Sequence, residues 1–210
     1  MAEALRTIRR AGRLFLGDLY LFFLVNLLTA LSFFLVIPFP PALAGLCLVA
    51  RRAAEGKFVR VRDWWEGLTR YFWRAWALAL INLAFLGLTI YNIRFYGPAG
   101  RFPVSEPAWL PAALQGALAA LLAFWLAWQL YVLPLMVEEE HPRVLRLLGQ
   151  ALLLLVGHPF YSVTLLVVIA LLLVISTIAF GVGFFVTPAA VALLVVVATR
   201  QLLGREDPEP

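Results

Sequence analysis

LFLGDLYLFFLVNLLTALSFFLVI, residues 14–37, runs into PFPPALAGLCLVA, residues 38–50, and then into Arg51 and Arg52. The first block is long enough for one membrane crossing, since about 20 helical residues cover roughly 30 Å of hydrocarbon. The second holds thirteen residues, which suits either a short tilted helix or one arm of a re-entrant hairpin. How the chain leaves this second block decides the topology.

Positive charge separates the possibilities, because Lys and Arg near helix ends favour the cytoplasmic side. If residues 38–50 return the chain to its starting side, Arg6, Arg9, Arg10 and Arg13 share that side with the seven cations from Arg51 to Arg74, and with Arg143, Arg146, Arg200 and Arg205. Only Arg94 and Arg101 then fall opposite, so fifteen of the seventeen cations share one side. Without the return, the cations from Arg51 to Arg74 would face away from those at the N-terminus. The lopsided split is the expected one, with both termini in the cytoplasm of a bacterial inner membrane.

Further runs obey the same length rule. Phe72–Tyr91, Leu110–Met136 and Phe160–Phe180 are long and apolar, and Val186–Leu203 is slightly short but uncharged until Arg200. The expected fold is all-α: a polytopic transmembrane bundle of about six membrane segments, the second short, forming a single membrane domain over residues 1–210 with a polar tail at 204–210. Leu14 is read as inside the first crossing, which is too long for a signal-peptide core and is therefore retained. Composition agrees, with 63% hydrophobic and 14% charged residues and a mean hydropathy of +0.92. A water-soluble domain has roughly 45–50% apolar and 25% charged residues. The net charge of +5 flanks apolar runs and forms no continuous patch, so nucleic acid is not an expected partner. The lipid bilayer is.

Two stretches have the pattern of helices lying at the membrane surface. In the first, Val61, Trp64, Trp65, Leu68 and Phe72 recur at helical spacing, opposite a stripe of Arg62, Glu66, Arg70 and Arg74. Trp64, Trp65, Trp73 and Trp76 are read as an aromatic belt at headgroup depth. Arg62, Trp64, Trp65, Arg70 and Arg74 are the candidate surface for lipid or a protein partner. The second stretch, Arg143–Gly157, stops at His158-Pro159, where proline favours a new helix start. A weak internal duplication, about 14–91 against 110–203, is suggested by Pro41–Ala50 before Arg51 and Pro188–Val197 before Arg200.

The chemistry-bearing residues are few. Cys47 is the one cysteine, with no partner for a disulfide or metal site, and is read as a small buried apolar residue. Glu138-Glu139-Glu140-His141 is read as a solvated acidic turn, and His158 as a capping or hydrogen-bonded structural residue. No catalytic motif, metal site or cofactor is expected. Polar residues within the apolar runs must find partners or line a cavity. They are Asp18, Asn26, Asn82, Gln115 and Gln129, read first as interhelical hydrogen-bonding groups and alternatively as the wall of a transport path.

From Asn26 to Ala77 the chain resembles the YesL-like family of small bacterial membrane proteins of uncharacterised function. The features that carry this are Asn26-Leu27-Leu28, the proline turn Pro38–Pro41, Arg51-Arg52, Gly56, and Asp63-Trp64-Trp65-Glu66-Gly67, which matches the family's aspartate-aromatic-aromatic-x-glycine pattern. Tyr131-Val132-Leu133-Pro134-Leu135 is also similar. Phe39-Pro40-Pro41 departs from the glycine-proline more usual at the turn. The resemblance implies a multi-pass bundle and, by family association, an accessory role in carbohydrate uptake beside a transporter subunit, or in a homo-oligomer. The alternative is a small autonomous transporter or channel with a path between the helices.

Overall fold

The computed structural model describes residues 2–96, 109–139, 143–178 and 182–205. Within these the chain forms nine helices and no strand: α1 Ala2–Gly17, α2 Leu19–Leu35, α3 Phe39–Ala54, α4 Val61–Arg70, α5 Phe72–Phe95, α6 Trp109–Glu138, α7 Val144–Gly157, α8 Pro159–Ile178 and α9 Val182–Leu202. Helices α5, α6 and α8 are long and apolar enough to cross a membrane. Helices α1 and α2 pass the same test together, as a bent pair.

The first apolar run is not one helix. It breaks at Asp18, and α1 and α2 meet at 90°, with Asp18 at φ −123°, ψ 40°, outside the helical region. Gly17 and Asp18 both have weak helix propensity, and a short acidic side chain competes for backbone hydrogen bonds. Leu14 to Gly17 therefore belong to the amphipathic α1, and Phe15 stacks on Phe22 across the elbow at 5.5 Å between ring centroids. Helix α1 lies along α9: Thr7 bonds the side chains of Gln201 and Tyr161, and Ile8, Ala11 and Phe15 line a small pocket with Ala190 and Leu194.

The short second segment is the centre of the molecule. Almost every residue of α3 from Pro41 to Ala54 is buried, by α2, α4, α5, α6 and α9. A helix apolar on all sides belongs inside a bundle, and one shielded by protein need not match bilayer thickness: α3 has 16 residues, about 24 Å at 1.5 Å each. The α2–α3 turn is tight. Val36 has φ 59°, ψ −55°, and Ile37 N–H donates to Leu35 O at 2.6 Å, the arrangement of a strained γ-turn. Trp76 Nε1 then donates to Ile37 O at 2.9 Å.

Helix α4 does not float at the surface as its amphipathicity predicts. It packs on α3 with backbone touching backbone, because glycines stand on both sides. A Cβ on Gly67 would lie 2.6 Å from Gly45 Cα, and one on Gly45 would lie 2.5 Å from Trp64 O. Trp64 is consequently buried, and its Nε1 donates to Thr29 Oγ1 at 3.0 Å. Its place is the core between α2, α3 and α4, not the headgroup belt. Helix α7 ends at its His158 cap, whose N–H donates to Leu154 O at 3.1 Å, and α8 starts at Pro159 as the sequence predicts.

Candidate functional site

Three helix C-termini meet in one ionic cluster. Arg200 Nη1 of α9 donates at 2.9 Å both to Glu138 Oε1 of α6 and to Glu55 Oε1 beyond α3. Arg51 Nε donates to Glu55 Oε1 at 2.9 Å and lies 3.6 Å from Glu138 Oε1, and its Nη1 bonds Val137 O. Arg205 Nη1 reaches Glu138 Oε2 at 3.2 Å, and Lys57 Nζ reaches Glu55 Oε2 at 2.6 Å. The Glu138 side chain is 1% exposed and that of Arg200 9%. Burial pushes the Glu55 carboxyl up, but Lys57, Arg51 and Arg200 together outweigh it and hold its pKa below the usual 4.5. Glu138 is therefore not part of a solvated turn. Its neighbours Glu140 and His141 lie outside the described residues.

A second ionic group ties α3 to α4. Arg52 Nη2 donates to both Glu66 oxygens, at 3.0 and 2.9 Å, and Arg52 Nη1 pairs with Asp63. Asp63 also accepts the Arg60 N–H at 2.8 Å, closing the first turn of α4. The outward face of α4 and of the start of α5 is left with Arg62 and Arg70 exposed, Arg74 half-buried, and Trp65 and Trp73 exposed at 60% and 82%. Of the candidate surface set, Trp64 alone is turned inward.

The polar residues of the apolar runs divide. Asn82 and Gln129 come together: Asn82 Nδ2 donates to Gln129 Oε1 at 3.3 Å and to Leu78 O at 3.0 Å, while Trp125 Nε1 donates to Asn82 Oδ1 at 2.8 Å. Trp125 also stacks on Phe85 at 3.9 Å. Asn26 is fully buried on α2. Gln115 is half-buried near the start of α6, about 21 Å along that helix from Gln129. Asp18 is exposed at the α1–α2 elbow, where a carboxylate keeps its hydration. Elsewhere Tyr131 and Ser162 share a buried 2.7 Å hydrogen bond between α6 and α8, a pair that helical spacing gives no means of matching.

Beside Gln129 lies a cleft of about 510 Å³ between α3, α6, α8 and α9. Cys47, Gln129, Ser176 and Thr187 bring the only polar side-chain atoms among its described lining residues. Pro134 and Pro188 both face it, and each removes a backbone N–H from its helix, freeing the carbonyl one turn earlier. Gln129 Nε2 is buried and has no hydrogen-bond partner among the described residues. A glutamine inside an apolar run is the one sequence signal that marks this place.

The chain matches no family model, no curated protein and no solved structure.

Proposed function

We propose that this is a non-enzymatic multi-pass protein of a bacterial inner membrane, with both termini cytoplasmic, serving as an accessory or scaffold subunit in carbohydrate uptake. Six segments, α2, α3, α5, α6, α8 and α9, make the crossings. The observation that carries this topology is the shared cluster of Arg51, Glu55, Glu138, Arg200 and Arg205. A chain that crosses in pairs returns α3, α6 and α9 to one side, and these are the helices whose C-terminal ends the cluster joins. At the α2–α3 turn, on the side away from the cluster, Phe34, Val36 and Ile37 are exposed with no charged residue between them, which suits the membrane interface better than bulk water.

The scaffold role rests on the resemblance to the YesL-like family and on the outward face of α4 and α5. Trp65 and Trp73 with Arg62, Arg70 and Arg74 offer apolar area beside cations, suited to anionic headgroups or an acidic partner subunit. Gentle extraction of the tagged protein, with co-purifying proteins identified by mass spectrometry, tests it. Stoichiometric recovery of a transporter subunit that is lost on replacing Arg62, Arg70 and Arg74 by Gln supports the role. Recovery of the chain alone, unchanged by the replacements, overturns it.

A further inference from the structure

We infer that the outward face at the junction of α4 and α5, built on Arg70, Trp73 and Arg74, binds an anionic phospholipid, with the headgroup phosphate on the two arginines and an acyl chain along α5. The inference rests on the reading of the α4–α5 face as an interaction surface and deepens it. Lipid takes the part nearest α5, and Arg62 and Trp65 on α4 are left for a partner subunit.

Helix α5 is long and apolar enough to cross a membrane, and no charged residue lies between Arg74 and Arg94. Those 20 positions are about 30 Å of helix, the thickness of the hydrocarbon core. Arg74 therefore stands at headgroup depth. Trp73 and Leu80 are seven positions apart, two turns of one face, and both are exposed, as are Leu83 and Leu88 farther along. The face runs from cations through an indole to bare leucine.

Charge at its upper end is uncompensated. Asp63 and Glu66 are the only acids between Lys57 and Glu106, and both turn to α3, where Arg52 Nη1 pairs with Asp63 and Arg52 Nη2 donates to both Glu66 oxygens. Arg70 Nη1 lies 3.9 Å from Glu66 Oε1, beyond hydrogen-bond reach. Arg74 has no acidic partner among the described residues. A guanidinium without a carboxylate matches a phosphate geometrically and electrostatically. The array is also held in place: Gly67 against Gly45, and Arg52 on Asp63 and Glu66, fix α4 on α3, which lowers the ordering cost of binding. An acidic peptide would satisfy the cations but lay backbone polar groups on leucines at hydrocarbon depth. A phospholipid carries its charge and its chains in the order this face presents them.

The purified full chain, delipidated in tetraethylene glycol mono-octyl ether, is titrated with palmitoyl-oleoyl phosphatidylglycerol and with palmitoyl-oleoyl phosphatidylcholine, which have the same acyl chains. Bound lipid is counted by native mass spectrometry. Saturable binding of phosphatidylglycerol, at least about tenfold tighter than phosphatidylcholine, is expected from two arginines at a membrane surface. Arg70→Gln/Arg74→Gln abolishes the preference. Arg143→Gln/Arg146→Gln, which removes the same charge from the exposed side of α7, leaves it unchanged. Helical circular dichroism shows that the variants fold, and the comparison of the two lipids in the wild type stands without them. No partner subunit is present, so failure of the scaffold role, read by co-purification, leaves this result untouched. Equal affinity for the two lipids overturns the inference. A preference that survives Arg70→Gln/Arg74→Gln, or that the α7 substitutions reduce as much, overturns it equally, because net charge alone then explains the binding.

Discussion

Arg200 and Glu138, 62 positions apart, face each other at 2.9 Å with both side chains withdrawn from solvent. The pair sits where α9 passes the end of α6. Removing one member is far more damaging than replacing both by apolar residues, because the partner stays behind as a buried, uncompensated ion.

Arg200→Leu should therefore destabilise the protein by about 3 kcal/mol, because Glu138 and Glu55 both lose a charged partner. Thermal unfolding in detergent reads this directly. A variant that unfolds within a degree or two of the wild type would mean that Arg51 and Arg205 compensate.

The cluster also sets a pH dependence. Glu55 has a folded pKa held below its ordinary 4.5, so the folded state binds its proton less readily than the unfolded chain does. Its stabilisation is complete above pH 4.5 and disappears as the pH falls through the lower, folded value. Melting temperatures measured from pH 7 to pH 3 should drop more steeply in the wild type than in Glu55→Gln. Parallel curves would remove Glu55 from the acid response.

At the α3–α4 contact, Gly67→Ala puts a methyl 2.6 Å from Gly45 Cα and 3.1 Å from Leu48 Cβ. Neither neighbour can swing aside, so the helices must separate. A loss of about 1–3 kcal/mol is expected, the usual cost of overpacking. Gly87→Ala on α5, with nothing within 4 Å of the new carbon, instead gains about 0.5–1 kcal/mol through helix propensity. Comparing the two melting temperatures separates crowding from propensity.

Val36 is the one non-glycine residue with positive φ among those described, at 59°. A β-branched side chain there is strained. Val36→Gly should stabilise the turn by about 1 kcal/mol, seen as a higher melting temperature with unchanged helical content.

The apolar runs of α5, α6 and α8, the break before α3 and the junction at His158-Pro159 were legible from length and proline. The partners were not. Hydropathy places Leu14–Ile37 in lipid but cannot see that Gly17-Asp18 is weak enough to bend it by 90°. Periodicity finds the amphipathic α4, yet the same apolar stripe serves lipid or protein, and the facing glycines at positions 45 and 67 decide for protein. Glu138 looked like one member of an acidic turn because its counter-ions, Arg51 and Arg200, are 87 and 62 positions away. Gln129 was visible as a polar residue in an apolar run. The cleft beside it is a product of four helices, two of them interrupted by proline, and no local pattern encodes that volume.

The placement of α3 also fixes an order of events during synthesis. This helix is made early, yet α4, α5, α6 and α9, which cover much of it, emerge afterwards, with α9 the final one. Until then its apolar sides have only α2 and the bilayer for cover. A nascent chain stopped before Arg200 holds Glu138 with Arg51 as its sole counter-charge of the three. Until α9 is in place, α3 keeps an open seam along the side that α9 covers, and Glu138 at its end lacks two of these three counter-charges.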